Sequence, residues 1–141
     1  MRLGRAVEAG LAGTAAMTML MLVAPKMGLP PMPIGEMLGN FLHIGAALGW
    51  AMHFMIGVGL AVGYALVFAD WLPGRAAARG MVFSLIPFLM AQVAVTPMMG
   101  GPIFSGGDVK MIMGSLMGHL VYGAFVGVVY GWLPARRAVP A

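Results

Sequence analysis

Cysteine is absent from this chain, and charge is scarce. The first absence excludes a disulfide scaffold, an iron–sulfur cluster and a Cys-based zinc site. The second excludes an ordinary water-soluble domain. Charged residues make up 9% of the 141 positions, against about 25% in globular domains. The carboxylates are four, Glu8, Glu36, Asp70 and Asp108. None lies deep in an apolar stretch, where it could pair with a histidine for general acid–base work. Ser84 and Ser115 have no evident Asp partner, and no H-E-x-x-H is present. Ser105-Gly106-Gly107 is the nearest approach to a phosphate-cradling loop, but no Lys-Ser/Thr pair follows it. The formal net charge is +4, yet the basic residues form no patch for nucleic acid. The sequence is therefore expected to be non-enzymatic, with no catalytic residue and no nucleic-acid partner.

What remains is 61% hydrophobic, too apolar for disorder. A membrane span needs about 20 apolar residues. Four stretches qualify, at about Ala6 to Ala24, Ile44 to Ala69, Ala78 to Thr96 and Met111 to Leu133. The first is not read as a signal peptide. Glu8 interrupts its apolar boundary, and no small-x-small cleavage site precedes Lys26. Arg2, Arg5, Arg75, Arg79, Arg136 and Arg137 fall on one side of such a four-span chain, and Lys26 and Lys110 on the other. The excess places both termini in the cytoplasm. The exits Trp71-Leu72-Pro73-Gly74-Arg75 and Trp132-Leu133-Pro134-Ala135-Arg136 each join an interfacial Trp, a helix-stopping Pro and a cytoplasmic Arg.

The two halves look duplicated. Pro25-Lys26-Met27-Gly28-Leu29-Pro30 and Pro97-Met98-Met99-Gly100-Gly101-Pro102 share the pattern P-x-M-G-x-P. His53, Gly57 and Tyr64 are spaced as His119, Gly123 and Tyr130 are. The W-L-P exit needs a short insertion to match. The fold class expected is all-α: an integral membrane four-helix bundle of two tandem two-helix repeats, about 1–75 and 76–141, with a pseudo-twofold along the membrane normal. The prolines end a helix, and Gly28 and Gly100 are free to take a positive φ. The segment Ile34 to His43 is half-apolar and is expected to lie on the membrane surface or dip back into it.

Each repeat carries one histidine on a small-residue ridge. Gly45, Gly49, His53, Gly57, Ala61 and Ala65 recur at four-residue spacing, as do Ser115, His119, Gly123, Gly127 and Gly131, so each set shares a helix face. Gly45/Gly49, Gly59/Gly63 and Gly123/Gly127 are GxxxG pairs that permit close helix approach. The first span offers Ala6, Gly10, Thr14 and Thr18; the third offers Ser84, Pro87 and Gln92, with a kink expected at Pro87. An ionisable group inside a span faces protein rather than lipid.

His53 and His119 are thus the candidate site, with Gly57 and Gly123 as packing neighbours. Three readings apply. In the first, each neutral imidazole hydrogen-bonds a Thr, a backbone carbonyl or Gln92 and ties helices together. In the second, the pair ligates a b-type haem or a chlorophyll, although GxxxG packing leaves little room for a macrocycle. In the third, the two His and nearby Met residues hold copper or relay protons, although Met is also a filler of apolar cores. No cofactor is the leading expectation. His43, Glu36, Asp108 and Lys110 read as ordinary interfacial or solvated groups.

Gly49-Trp50-Ala51-Met52-His53-Phe54, the Pro97-to-Phe104 loop, His119-Leu120-Val121-Tyr122-Gly123 and Val129-Tyr130-Gly131 together resemble an uncharacterised family of small four-span bacterial and archaeal membrane proteins, a domain of unknown function. The resemblance covers nearly the whole chain. It implies the four-helix membrane fold and no activity, and it marks His53 and His119 as matching positions. The function expected is a structural or accessory subunit of a membrane assembly, or a homo-oligomer in the bilayer. A haem- or metal-binding membrane protein and a small transporter are the alternatives.

Overall fold

The computed structural model describes residues 3–132. It is helical almost throughout. Helix α1 spans Leu3–Val23 and ends in a 3-10 turn, Ala24–Met27. A short helix, α2, covers Ile34–Phe41. Helix α3 runs Ala46–Gly63 and continues through a π-helical turn, Tyr64–Phe68. Helix α4 covers Ala76–Met90, continuing through a second π turn, Ala91–Val95, to Met98. Helix α5 covers Val109–Trp132. With their continuations, α1, α3, α4 and α5 are the four helices long and apolar enough to cross a membrane. The first and third extend the spans read from sequence by two or three residues at each end, the fourth starts two residues earlier, and the second is shorter by two residues at its start and one at its end. The second W-L-P exit and Arg2, Arg136 and Arg137 lie outside the described residues.

Chain reversals follow from the turn chemistry. Gly28 and Gly100 both sit at φ +87°, the left-handed region that glycine enters without penalty. Their amides donate to the carbonyls of Pro25 and Pro97 at 3.2 and 3.0 Å. The next residues, Leu29 and Gly101, donate to Ala24 and Thr96 at 3.1 and 2.9 Å. Two bonds of this kind satisfy carbonyls that a helix end leaves open. The start of α5 is held by Asp108, whose Oδ1 accepts from the amides of Lys110 and Met111 at 2.9 and 3.2 Å. That carboxylate is a helix N-cap, a role not seen in the sequence.

Packing links the helices in an arc, α2–α3–α1–α5–α4. Helix α1 lies between α3 and α5, with Ala6, Ala9 and Thr14 at most 1% exposed. A Cβ on Gly57 would overlap the Thr14 hydroxyl, so α1 and α3 touch backbone to side chain. Likewise a Cβ on Gly123 would overlap the Gly80 carbonyl and crowd Ser84. Gly49 meets α2 instead: its Cβ would overlap the Gly35 carbonyl and lie 2.6 Å from the Gly39 amide. Of the GxxxG pairs, Gly123/Gly127 packs inward against α4, whereas Gly59 and Gly63 have open space above them. The outer surface is apolar, with Leu22, Met55, Leu66 and Trp71 all exposed.

Across the arc, α3 and α4 meet through an aromatic cluster. Phe83 packs against Tyr64 and Phe68, with ring centroids 5.3 and 5.2 Å apart. Tyr64 also meets Tyr130 edge to face at 5.9 Å. This cluster lies toward the end where α1 and α4 begin, the arginine end. Between the cluster and the Pro–Gly turns, α3 and α4 part and leave a cavity.

Candidate functional site

Four helices and the cap α2 line that cavity, whose volume is about 200 Å³. His53, Ile56, Gly57 and Leu60 come from α3, and His119 and Tyr122 from α5. Pro87, Met90, Ala91 and Val95 lie on α4 and its π turn. Thr14 and Met17 complete the wall on α1, and Ile34 and Leu38 on α2. Pro87 has no amide to give to the turn before it, and the helix widens to π geometry from Ala91. The departure from regular helix thus falls where the wall bends around the cavity. The two histidines picked from sequence are brought together here.

Their protonation follows from their partners. His119 Nδ1 lies 2.7 Å from the Ser115 carbonyl. A carbonyl only accepts, so Nδ1 carries the proton and, in the neutral ring, Nε2 holds a lone pair. The Thr18 hydroxyl gives its proton to the Thr14 carbonyl at 2.8 Å. Its oxygen is then an acceptor for His53 Nε2, 3.4 Å away. So His53 is a Nε2–H tautomer with its lone pair on Nδ1. Of the partners named from sequence, Thr and backbone carbonyl are used. Gln92 is not: its Oε1 accepts from the Ser105 hydroxyl at 3.2 Å. Aromatic edges frame both rings, Trp50 and Phe54 around His53 and Phe88 beside His119.

Sequence reasoning missed Tyr122. Its hydroxyl donates to the Gly57 carbonyl at 2.6 Å, tying α5 to α3 across the cavity wall. That glycine carbonyl is within reach because no side chain stands over it. Tyr122 is 2% exposed. We expect Tyr122→Phe to lower stability by about 1 kcal/mol, since the gain of an internal bond is modest even where it is buried. Detergent-denaturation midpoints of the two proteins measure it; an unchanged midpoint would mean that the bond carries no net energy.

A cavity of about 200 Å³ falls below the about 300–1,000 Å³ typical of small-molecule pockets. Among the described residues no three His, Asp or Glu side chains gather as a metal-binding group. The soft groups are different: Met17 and Met90 share the cavity with both imidazoles.

Residues 1–141 match the profile of a family of unknown function, DUF6789. The chain belongs to DUF6789. No curated protein and no solved structure matches this DUF6789 chain. The arrangement of DUF6789 residues around the cavity must therefore be read from its own chemistry.

Proposed function

We propose that the protein is a non-enzymatic subunit of a prokaryotic inner membrane, crossing it four times with both termini cytoplasmic, and serving as a structural or accessory part of a larger membrane assembly or homo-oligomer. The single observation that carries this reading is the commitment of both imidazoles to helix contacts. His119 is tied to the Ser115 carbonyl, and His53 to Thr18 on the neighbouring helix. In that role His53 ties α3 to α1, His119 satisfies a carbonyl of its own helix, and neither ring does chemistry.

The tandem-repeat reading, about 1–75 and 76–141, has its own support. The Gly28 and Gly100 turns share one φ and one bonding pattern. Gly57 packs on Thr14 as Gly123 packs on Ser84. Tyr64 and Tyr130, matched in sequence, meet ring to ring, as residues near a twofold axis do. Orientation rests on the arginine excess at one end.

A second reading is favoured by Met17 and Met90. Two thioethers and two lone-pair nitrogens, His53 Nδ1 and His119 Nε2, form a donor set of the softness that copper(I) prefers. One preparation decides between them. Purified in mild detergent from its own membranes, the wild-type chain is expected to elute with stoichiometric partner subunits or as a defined oligomer. It should show no visible absorbance and no bound copper, and His53→Gln and His119→Gln should elute in the same way. A visible band, or one copper per chain lost in both variants, overturns the accessory reading in favour of the cofactor reading. A bare monomer also counts against it.

A further inference from the structure

The arginine end holds a second and larger cavity, about 650 Å³, on the far side of the aromatic cluster from the histidines. Arg5 of α1 and Arg79 of α4 both line it, together with Tyr64, Tyr130 and the first residue of α4, Ala76. Asp70 is the one carboxylate in the lining, and it is exposed. Both arginines are half-buried. Each spends one guanidinium nitrogen on a helix end: Arg5 Nη2 donates to the Tyr130 carbonyl, and Arg79 Nη1 to the Ala69 carbonyl at 2.6 Å. The Arg5 guanidinium also sits over the Tyr130 ring, 4.7 Å from its centre.

What is left over is unusual. Among the described residues, the Nε atoms of both arginines are buried and have no hydrogen-bond partner. A buried charged donor without an acceptor is costly. The α4 N-terminus adds to the deficit, because Arg75 supplies no side-chain cap to its first turn. Two arginines, an uncapped helix start and two tyrosines line one open cavity with a single carboxylate. The complement to this set is an oxyanion with several acceptor oxygens, since arginine forks and helix N-termini both match phosphate.

We infer that this cavity binds a phosphate group, held between Arg5 and Arg79, and that an anionic phospholipid headgroup supplies it. The lipid source rests on the membrane-spanning reading above. In that reading the cavity lies at headgroup depth on the cytoplasmic side, where basic pockets between spans take anionic lipids. The exposed Leu66 beside it offers apolar surface for an acyl chain. The phosphate is the anchor, and the bound lipid would join α1, the exit of α3, and α4.

Flotation with neutral phosphatidylcholine vesicles tests the membrane reading on its own. Native mass spectrometry of the detergent-solubilised full chain then tests the site. With phosphatidylglycerol added, wild type is expected to retain lipid. Arg5→Gln and Arg79→Gln should bind it about tenfold more weakly, the worth of a charge-assisted bond. Arg79→Lys should fall between, keeping charge but losing the fork. Lys26→Gln, the same charge change at the opposite end, should bind as wild type does. Equal retention by wild type and the two Gln variants overturns the site, as does an equal loss in Lys26→Gln. Should the Gln variants misfold, wild type alone suffices: phosphatidylglycerol must shield Arg5 and Arg79 from phenylglyoxal, and their equal labelling with and without it overturns the proposal. Inorganic phosphate distinguishes the source. Shielding by phosphate but not by lipid upholds the anion site and overturns the lipid. Failure to float overturns the membrane reading while leaving the phosphate arm decisive.

Discussion

Gly80→Ala is expected to destabilise the protein by about 1–3 kcal/mol or more, the range for forcing volume into a closed contact. The added methyl would overlap the Gly123 carbonyl and stand 2.8 Å from the Gly127 amide. Both obstacles are backbone, so neither moves aside by changing rotamer, and α4 and α5 must separate. In the membrane-spanning reading proposed above this separation is serious, because helix association in lipid relies on close van der Waals contact rather than on water exclusion. Gly59→Ala is the matched control. Nothing lies within 4 Å of its added methyl, and alanine is the better helix former by about 1 kcal/mol. Unfolding both variants in detergent should give shifts of opposite sign. Indistinguishable midpoints would mean that the α4–α5 contact is looser than described.

Truncating Tyr64 to alanine is expected to cost about 3–5 kcal/mol, as other large aromatic-to-alanine changes do in cores. Tyr64 is 2% exposed and stands where α3, α4 and α5 come together, touching Phe83 and Tyr130. Removing its ring would open the aromatic cluster that separates the two cavities. Trp71→Ala, at a ring 75% exposed, should change stability by no more than about 0.5 kcal/mol. The same unfolding assay compares them, and similar losses for both would refute the separating role of the cluster.

The inward faces were legible before any coordinates. Ala6, Gly10, Thr14 and Thr18 on one helix and Ser84, Pro87 and Gln92 on another were marked by their spacing alone. Periodicity identifies a face because side chains four apart stack on one side of a helix. It does not say which neighbour that face meets. Hence the close approach expected at Gly49 is made to α2, whose own Gly35 and Gly39 were the available signal. Tyr122 escaped notice because a tyrosine in an apolar run looks like any aromatic. Its partner is a carbonyl 65 positions away, and no sequence pattern encodes that. Asp108 could have been found, as an acidic residue just before an apolar helical run is an N-cap signal. Arg5 and Arg79 were read as flanks that fix orientation. Their placement four residues before the buried Ala9 and Phe83 puts them on the inward face, and that was the missed clue.

The arc order of packing bears on how the chain matures during synthesis. Helix α4 leaves the ribosome before α5 exists, yet its Gly80 face is shaped for α5. Helix α1, made earlier than α4, likewise keeps one side unfilled until α5 arrives. Helix α5 therefore completes two packed faces at once, and a nascent chain stalled before residue 109 would hold two half-finished surfaces available to chaperones and proteases.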